Sequence, residues 1–144
     1  MAQNVIAIAS DHAGFEVKDA LKVVLIETGY AICDLGTNGR DTVDYPDYAD
    51  ALTSMMANGK VKRGVLLCGS GIGMSIAANR KSFIRAALCH SVTDARLARQ
   101  HNDANVLVFG SRIIGIEIMK DCLSMFLNTP FEGGRHLRRV NKIS

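Results

Sequence analysis

A cysteine followed by three alternating glycines is the stretch of the sequence best suited to chemistry. The apolar residues 65–67 end at Cys68, and Gly69, Gly71 and Gly73 then lead into a helical pattern. A strand that stops at a glycine turn, where a helix starts, points several backbone N–H groups at one spot. Such a spot attracts a phosphate or a developing oxyanion. The sequence therefore predicts an anion site with a thiol at its rim.

Cys68 is the candidate catalytic residue of this stretch. The N-terminus of a helix lowers the pKa of a nearby thiol, and a thiolate can act as a nucleophile or as a base. A free cysteine is also common as a small buried hydrophobic residue, so the spacing leaves both roles open for Cys68. For Cys33, Cys89 and Cys122, which lie in strand or helix patterns, we favour the buried structural role.

The glycine loop matches neither of the common nucleotide-binding fingerprints. A dinucleotide fingerprint needs a third small residue where Met74 stands, and a P-loop ends in Gly-Lys-Ser/Thr, which is absent here. A site for a small phosphate or an oxyanion therefore remains the best functional interpretation of the loop.

Two pairs of polar residues are further candidates for a site. Asp11 and His12 follow an apolar run, and His101 and Asn102 follow a helical pattern. Asp11 can also be a helix N-cap and Asn102 a helix C-cap. The residues alone therefore leave structural roles open for both pairs.

The C-terminal tail is basic, and residues 134–142 contain no acidic side chain. Arg135 and Arg139 are four positions apart, so a helix would place both on one side. Two guanidinium groups on one side can clamp a phosphate, whereas Arg138 would point elsewhere. The alternative is a solvated basic face without a ligand.

Short apolar runs alternate with helical patterns along the whole chain. Strands are predicted at 5–9, 31–35, 65–67, 84–88 and 106–109, and helices at 15–25, 48–56, 73–80, 93–100, 114–127 and within the tail, 131–144. The alternation predicts one α/β domain over residues 1–144, a five-stranded parallel sheet with helices on both faces. Ligands bind beyond the C-terminal ends of such strands. Asp11, Cys68 and residues 110–112 fall at those ends.

The composition argues against several other classes of protein. The 144 residues have a net charge of only +3 and contain no Trp, which argues against a nucleic-acid-binding protein. We find neither a signal-peptide pattern nor an apolar run of membrane-spanning length. We therefore expect a cytoplasmic protein with reduced thiols. No Cys/His cluster has the sequence spacing of a zinc site.

Six ordered motifs resemble those of the type B ribose-5-phosphate isomerases, over nearly the whole chain. That family also contains galactose-6-phosphate and allose-6-phosphate isomerases. The motifs are SDHAG at 10–14, DYP at 44–46, CGSGIGMSIAAN at 68–79, RQHND at 99–103, FGSR at 109–112 and EGGRH at 132–136.

The resemblance implies a fold, an activity and a set of site residues. The fold is a Rossmann-like α/β/α sandwich, and the assembly is a homodimer with shared active sites, while pairing of dimers into tetramers stays open. The activity is interconversion of D-ribose 5-phosphate and D-ribulose 5-phosphate in the pentose phosphate pathway, without a metal or an organic cofactor. Cys68 matches the catalytic base, and His101 matches the residue that opens the sugar ring. The substrate-binding positions match Asp11, His12, Gly69, Ser70, Gly71, Ile72, Gly73, Asn102, Arg112, Arg135 and Arg139.

Two alternative functions stay open at this point. One is isomerisation of a six-carbon aldose phosphate, either allose 6-phosphate or galactose 6-phosphate. The other is a non-catalytic phosphosugar-binding module, which would need neither Cys68 nor His101. Their joint presence favours the enzyme. Ser70 stands where many family members have Thr, which keeps the hydroxyl and loses a methyl group.

Overall fold

Strands and helices alternate along residues 4–144, which is the part of the chain that the computed structural model describes. The strands are β1 Val5–Ser10, β2 Ala31–Asp34, β3 Arg63–Cys68, β4 Ala86–Leu88 and β5 Val106–Gly110. The helices are α1 Phe15–Glu27, α2 Tyr45–Ala57, α3 Ile72–Ala78, α4 Val92–Asn102, α5 Ile116–Asn128 and α6 Arg135–Lys142. The first three residues of the predicted domain lie outside the described residues.

The strands form one parallel sheet with the order β2-β1-β3-β5-β4. In its centre, Ser10 of β1 is paired with Leu67 of β3, and Cys68 is paired with Gly110 of β5. The C-terminal ends of β1, β3 and β5 therefore lie side by side at one edge of the sheet. The predicted five-stranded parallel sheet is confirmed.

Each face of the sheet carries its own apolar core. One core packs α1, α4 and α5 against side chains such as Ile8 and Leu107, and the other packs α2 and α3 against side chains such as Ala9 and Val108. Neighbouring strand residues alternate between the two cores because successive side chains of a strand point to opposite faces. The predicted three-layer α/β/α architecture is therefore confirmed, and Cys68 belongs to the face that α2 and α3 cover.

The structure corrects two predicted helix boundaries near the candidate residues. Helix α2 begins at Tyr45 rather than at residue 48, because Pro46 fits the first turn, where its missing N–H costs no hydrogen bond. Helix α4 continues to Asn102, so Asn102 is not the C-cap. The C-cap is Asp103, whose φ of 48° is left-handed.

A charged pair connects α1 to the end of β2. Lys18 is completely buried, although its charged neighbours in α1 suggest a solvated position. Its Nζ lies 2.7 Å from one carboxylate oxygen of Asp34, and the Nζ of Lys22 lies 2.6 Å from the other. A buried ammonium group needs such a partner because an unpaired charge in the interior is costly.

Among the described residues, no helix has the length and apolar character needed to cross a bilayer.

Candidate active site

Cys68 is the last residue of β3, and the glycine loop turns the chain directly beside its sulfur. The side chain is buried, and the Gly71 N–H donates a hydrogen bond to Sγ over 3.1 Å. Gly71 has a φ of +77°, and a Cβ there would lie 2.5 Å from Cδ1 of Leu88. Only glycine combines this backbone conformation with this close approach. The predicted turn with a thiol at its rim is present.

The loop after β1 lies next to the glycine loop. The Asp11 N–H donates to the Leu67 carbonyl over 3.3 Å, and the Asp11 carboxylate accepts hydrogen bonds from the N–H groups of Ala13 and Gly14. Asp11 therefore caps the short 3₁₀ turn over residues 12–14. His12 accepts a hydrogen bond at Nδ1 from the Val43 N–H over 3.2 Å, so its neutral ring carries the proton on Nε2.

Arg112 covers the glycine loop from the end of β5. Its N–H donates to the Gly69 carbonyl, and a Cβ on Gly69 would lie 3.1 Å from Nη1 of the Arg112 guanidinium. Ser111 donates its N–H to the Cys68 carbonyl and its hydroxyl to the Ala13 carbonyl. The loops after β1, β3 and β5 are thus joined by hydrogen bonds. We call Asp11, His12, Cys68, residues 69–73 and Arg112 the thiol group.

The remaining candidate residues form a second group around the end of α4. His101 and Asn102 are in its last turn, and the Glu132 N–H donates to the Gln100 carbonyl over 3.0 Å. This contact brings α6, with exposed Arg135 and Arg139, to the same place. The predicted tail helix is present, and it carries both arginines. We call His101, Asn102, Arg135 and Arg139 the histidine group.

The two groups lie at opposite edges of the sheet. Helix α4 returns from the C-terminal end of β4 to the start of β5, and Asn105, three residues after Asn102, is hydrogen-bonded to Gly64 at the start of β3. Cys68 ends the same strand, four residues further on, which is about 13 Å along the sheet. Within one chain, His101 therefore does not lie close to Cys68.

Two residues beside His101 are missing from the predicted site. The His136 ring stacks on the His101 ring with 4.3 Å between centroids and 11° between planes. Nε2 of His136 lies 3.5 Å from Oε1 of Glu132, and Nε2 of His101 lies 3.9 Å from the same oxygen. Burial and the positive charge of Arg135 lower the pKa of His136. The separation of four positions between Glu132 and His136 was a weak sequence signal, because an acid and a base so spaced are common on helix surfaces.

Cys89 and Cys122 have the buried position that we favoured, whereas Cys33 on β2 is only half-buried. All four cysteines are free, and Cys89 and Cys122 are buried in the core that α4 and α5 share. Burial raises the pKa of Cys89 to about 12, with the nearby Cys122 and Asp94 acting in the same direction. A thiol with that pKa is not a nucleophile near neutral pH.

Comparison with known proteins identifies the family to which the chain belongs. The ribose-5-phosphate isomerase B of Escherichia coli is 45% identical over 96% of this chain and 93% of its own length. The D-erythrulose-4-phosphate isomerase of Pectobacterium atrosepticum is 40% identical over 96% of this chain and 91% of its own. A crystal structure of a Thermotoga maritima ribose 5-phosphate isomerase superposes with a TM-score of 0.95 and 52% identity, covering 96% of each chain. The family model described as ribose/galactose isomerase matches residues 6–143, and this chain belongs to that family of isomerases.

Proposed function

We propose that the protein interconverts D-ribose 5-phosphate and D-ribulose 5-phosphate through an enediolate. The observation that carries the proposal is the Sγ of Cys68 within 3.1 Å of a loop N–H, beside Arg112 at the C-terminal edge of the sheet. The similarity to the E. coli ribose-5-phosphate isomerase B supports a pentose phosphate as the substrate. Such an enzyme serves the non-oxidative branch of the pentose phosphate pathway in the cytoplasm.

Cys68 is the base in this proposal. As a thiolate it takes the proton from C2 of the open-chain aldose, and the electron pair of that C–H bond forms the C1–C2 double bond of the enediolate. The resulting thiol returns the proton to C1, while the hydroxyl proton on O2 leaves and O1 gains one, which gives the ketose. The loop N–H groups stabilise the oxyanion because they already point at it.

His101 opens the sugar ring, and we propose that it does so in the active site of a second copy of the chain. The separation of the two groups within one chain supports a homodimer in which the partner subunit's His101 faces Cys68. Exposed apolar side chains lie near both groups and could be covered by a partner: Ile72 and Ile76 on α3, Leu137 on α6, and Ile143. An imidazole can donate and accept a proton near neutral pH, as ring opening requires.

The arginines hold the phosphate, and Asp11, His12 and Asn102 hold the sugar hydroxyls or the phosphate. Arg112 belongs to the thiol group, whereas Arg135 and Arg139 come from the partner in a shared site. Guanidinium groups match the geometry of phosphate oxygens. Binding energy from the phosphate, which does not react, positions C1 and C2 at the sulfur.

The nature of the sugar is tested with purified protein and a panel of substrates. Conversion of ribose 5-phosphate, allose 6-phosphate, galactose 6-phosphate and erythrulose 4-phosphate is followed separately by proton NMR. The four-carbon ketose phosphate is included because of the Pectobacterium relative. Highest kcat/KM for ribose 5-phosphate supports the proposal, and preference for another sugar reassigns the substrate. Binding of ribose 5-phosphate without any conversion of the panel would favour the non-catalytic module.

A further inference from the structure

His101, Glu132 and His136 form a cluster of metal-ligand side chains that their sequence spacing does not reveal. One ligand atom from each, two imidazole nitrogens and one carboxylate oxygen, lies within 4.8 Å of the other two. The three side chains come from the end of α4, the loop before α6 and the first turn of α6. The contact between α4 and the tail therefore creates the cluster.

The His136 side chain makes this cluster different from an ordinary group of surface residues. Only 8% of the side chain is exposed, and Nε2 has no hydrogen-bond partner. That nitrogen faces Oε1 of Glu132 at 3.5 Å, too long for a good hydrogen bond. Buried polar atoms in proteins almost always have a partner, so an unpartnered one needs an explanation. A ligand between His136 and Glu132 would provide it.

We propose that His101, Glu132 and His136 bind a divalent transition-metal ion of the zinc and cobalt type. Imidazole nitrogens suit these ions, and two histidines with one carboxylate leave a fourth position for water. In a tetrahedral site with ligand bonds of roughly 2.0–2.1 Å, ligand atoms are about 3.4 Å apart. The Glu132 oxygen is already 3.5 Å from Nε2 of His136 and 3.9 Å from Nε2 of His101. Closing the site therefore requires the His101 ring to turn and its nitrogen to approach the other two ligand atoms.

His101 and Glu132 are free to make that movement, whereas His136 is fixed by its surroundings. The side chains of His101 and Glu132 are 38% and 48% exposed. The two imidazole rings are nearly parallel, so the His101 ring turns to direct its nitrogen at a shared ion. Arg135 and Arg139 on the same helix repel a dication, and we therefore expect micromolar rather than picomolar affinity.

The ion would act as an inhibitor, and this consequence rests on the proposed function. Nε2 of His101 cannot exchange a proton with a sugar while it is bound to a metal. Bound metal would therefore slow ring opening while leaving Cys68 unchanged. Because His101 belongs to the histidine group and Glu132 and His136 lie beside it, we expect ribose 5-phosphate and the metal to compete with each other.

The binding experiment uses the full chain after treatment with a chelator and its removal. Titration with Zn²⁺ is followed by calorimetry, and titration with Co²⁺ by visible absorption, both without sugar. Glu132→Gln and His136→Gln remove single ligands, and His90→Gln is the control because His90 is exposed and outside the cluster. Glu132 is half exposed, so its variant should fold even if replacing the buried His136 lowers stability. Circular dichroism checks that the Glu132→Gln and His136→Gln variants are folded.

We expect one ion per wild-type chain and an affinity at least about tenfold weaker in Glu132→Gln, since even outer-shell partners of a metal site contribute about that much. His90→Gln should bind as the wild type does. Undiminished binding by Glu132→Gln, no binding by the wild type below millimolar metal, or a sulfur-to-cobalt absorption band would each overturn the site.

A separate activity measurement distinguishes this proposal from the proposed function. If Zn²⁺ binds at the cluster but the protein converts no sugar phosphate, the isomerase assignment fails and the metal site stands. If turnover is normal and insensitive to Zn²⁺ that is shown to be bound, the inhibitory role fails.

Discussion

The sulfur of Cys68 accepts a hydrogen bond from the backbone of Gly71, three residues later in the chain. This bond fixes Sγ against the glycine loop at the C-terminal end of β3. Such a pairing of a thiol with backbone donors suits removal of a carbon-bound proton, because the oxyanion forms where the donors already are.

Replacing Cys68 with Ala should nearly abolish turnover and leave sugar-phosphate binding largely intact. Loss of a general base typically costs on the order of 10²–10⁴ in kcat. Steady-state kinetics and calorimetry with ribose 5-phosphate measure the two quantities. Cys33→Ala is the matched control, because Cys33 is a half-buried thiol on β2, which β1 separates from β3. Near-normal turnover by Cys68→Ala would show that Cys68 is not the base.

Mixing two inactive variants should restore activity if the site is shared between subunits. In a Cys68→Ala/His101→Asn heterodimer, one site lacks both residues and the other contains both. Random exchange would then recover about one quarter of wild-type activity, because half of the dimers are mixed and each has one intact site. Activity is measured after the two proteins are unfolded and refolded together. No recovery, with heterodimers present by mass spectrometry, would place both residues in one chain.

Arg135→Ala should raise KM for ribose 5-phosphate much more than it lowers kcat. Removing one charged contact to a phosphate costs roughly 1.5–3 kcal/mol, which is about tenfold to a hundredfold in affinity. Arg138→Ala is the control because Arg138 is exposed on the same helix but is not four positions from Arg135. An unchanged KM in Arg135→Ala would contradict the phosphate clamp.

Asp34→Asn should destabilise the fold by about 3 kcal/mol or more, because it leaves the buried ammonium of Lys18 without its counter-charge. Asp41→Asn, on the exposed loop before α2, should change stability little. Denaturant unfolding at pH 7 measures both values. Equal stability of the two variants would mean that Lys18 finds another partner.

The same pair should make stability depend on pH in a defined direction. Burial would raise the pKa of Asp34, but hydrogen bonds from Lys18, Lys22 and the Gly36 N–H outweigh it, and the net pKa is lowered. The Asp34 carboxyl therefore binds a proton more readily in the unfolded chain than in the folded one. The stabilisation that its ion pairs give the folded state is present above the ordinary carboxyl pKa and is lost as the pH falls below it. Hydrogen bonding to Asp34 raises the pKa of Lys22, so its contribution is lost only at strongly alkaline pH. The free energy of unfolding of Asp34→Asn should decrease less on acidification than that of the wild type.

Gly71→Ala should lower both stability and activity. The left-handed backbone costs a non-glycine residue about 1–2 kcal/mol, and the added methyl would meet Leu88 and the backbone of Phe109. Gly39→Ala is the control, since a Cβ there meets no atom within 4 Å. If Gly71→Ala keeps full activity, the loop geometry beside Cys68 is not essential.

The sheet and the thiol end of the site were predictable because they depend on local patterns. Residues 65–67 of strand β3 are a continuous apolar run, and Gly71 marks the turn that gives Cys68 its N–H partner. The six motifs contain the other candidate residues except Arg139, which was singled out by its spacing of four positions from Arg135. The burial of Lys18 was not predictable, since it depends on Asp34, 16 residues later and on another element.

The surroundings of His101 show a second limit of sequence analysis. His101 and His136 are 35 positions apart, and their stacking depends on how the tail packs against α4. The extension of α4 to Asn102 depends equally on Asp103, which adopts a left-handed conformation more readily than most residues. Neither a periodicity nor a spacing contains that information.

In the proposed shared site, the distance between the thiol group and the histidine group would make turnover depend on protein concentration. A single chain would carry the base at one edge and the ring-opening residue at the other, and neither edge would be a complete enzyme. A newly synthesised chain would therefore be inactive until it dimerised with a second copy. Specific activity should consequently fall on dilution below the dissociation constant of the pair and return on concentration.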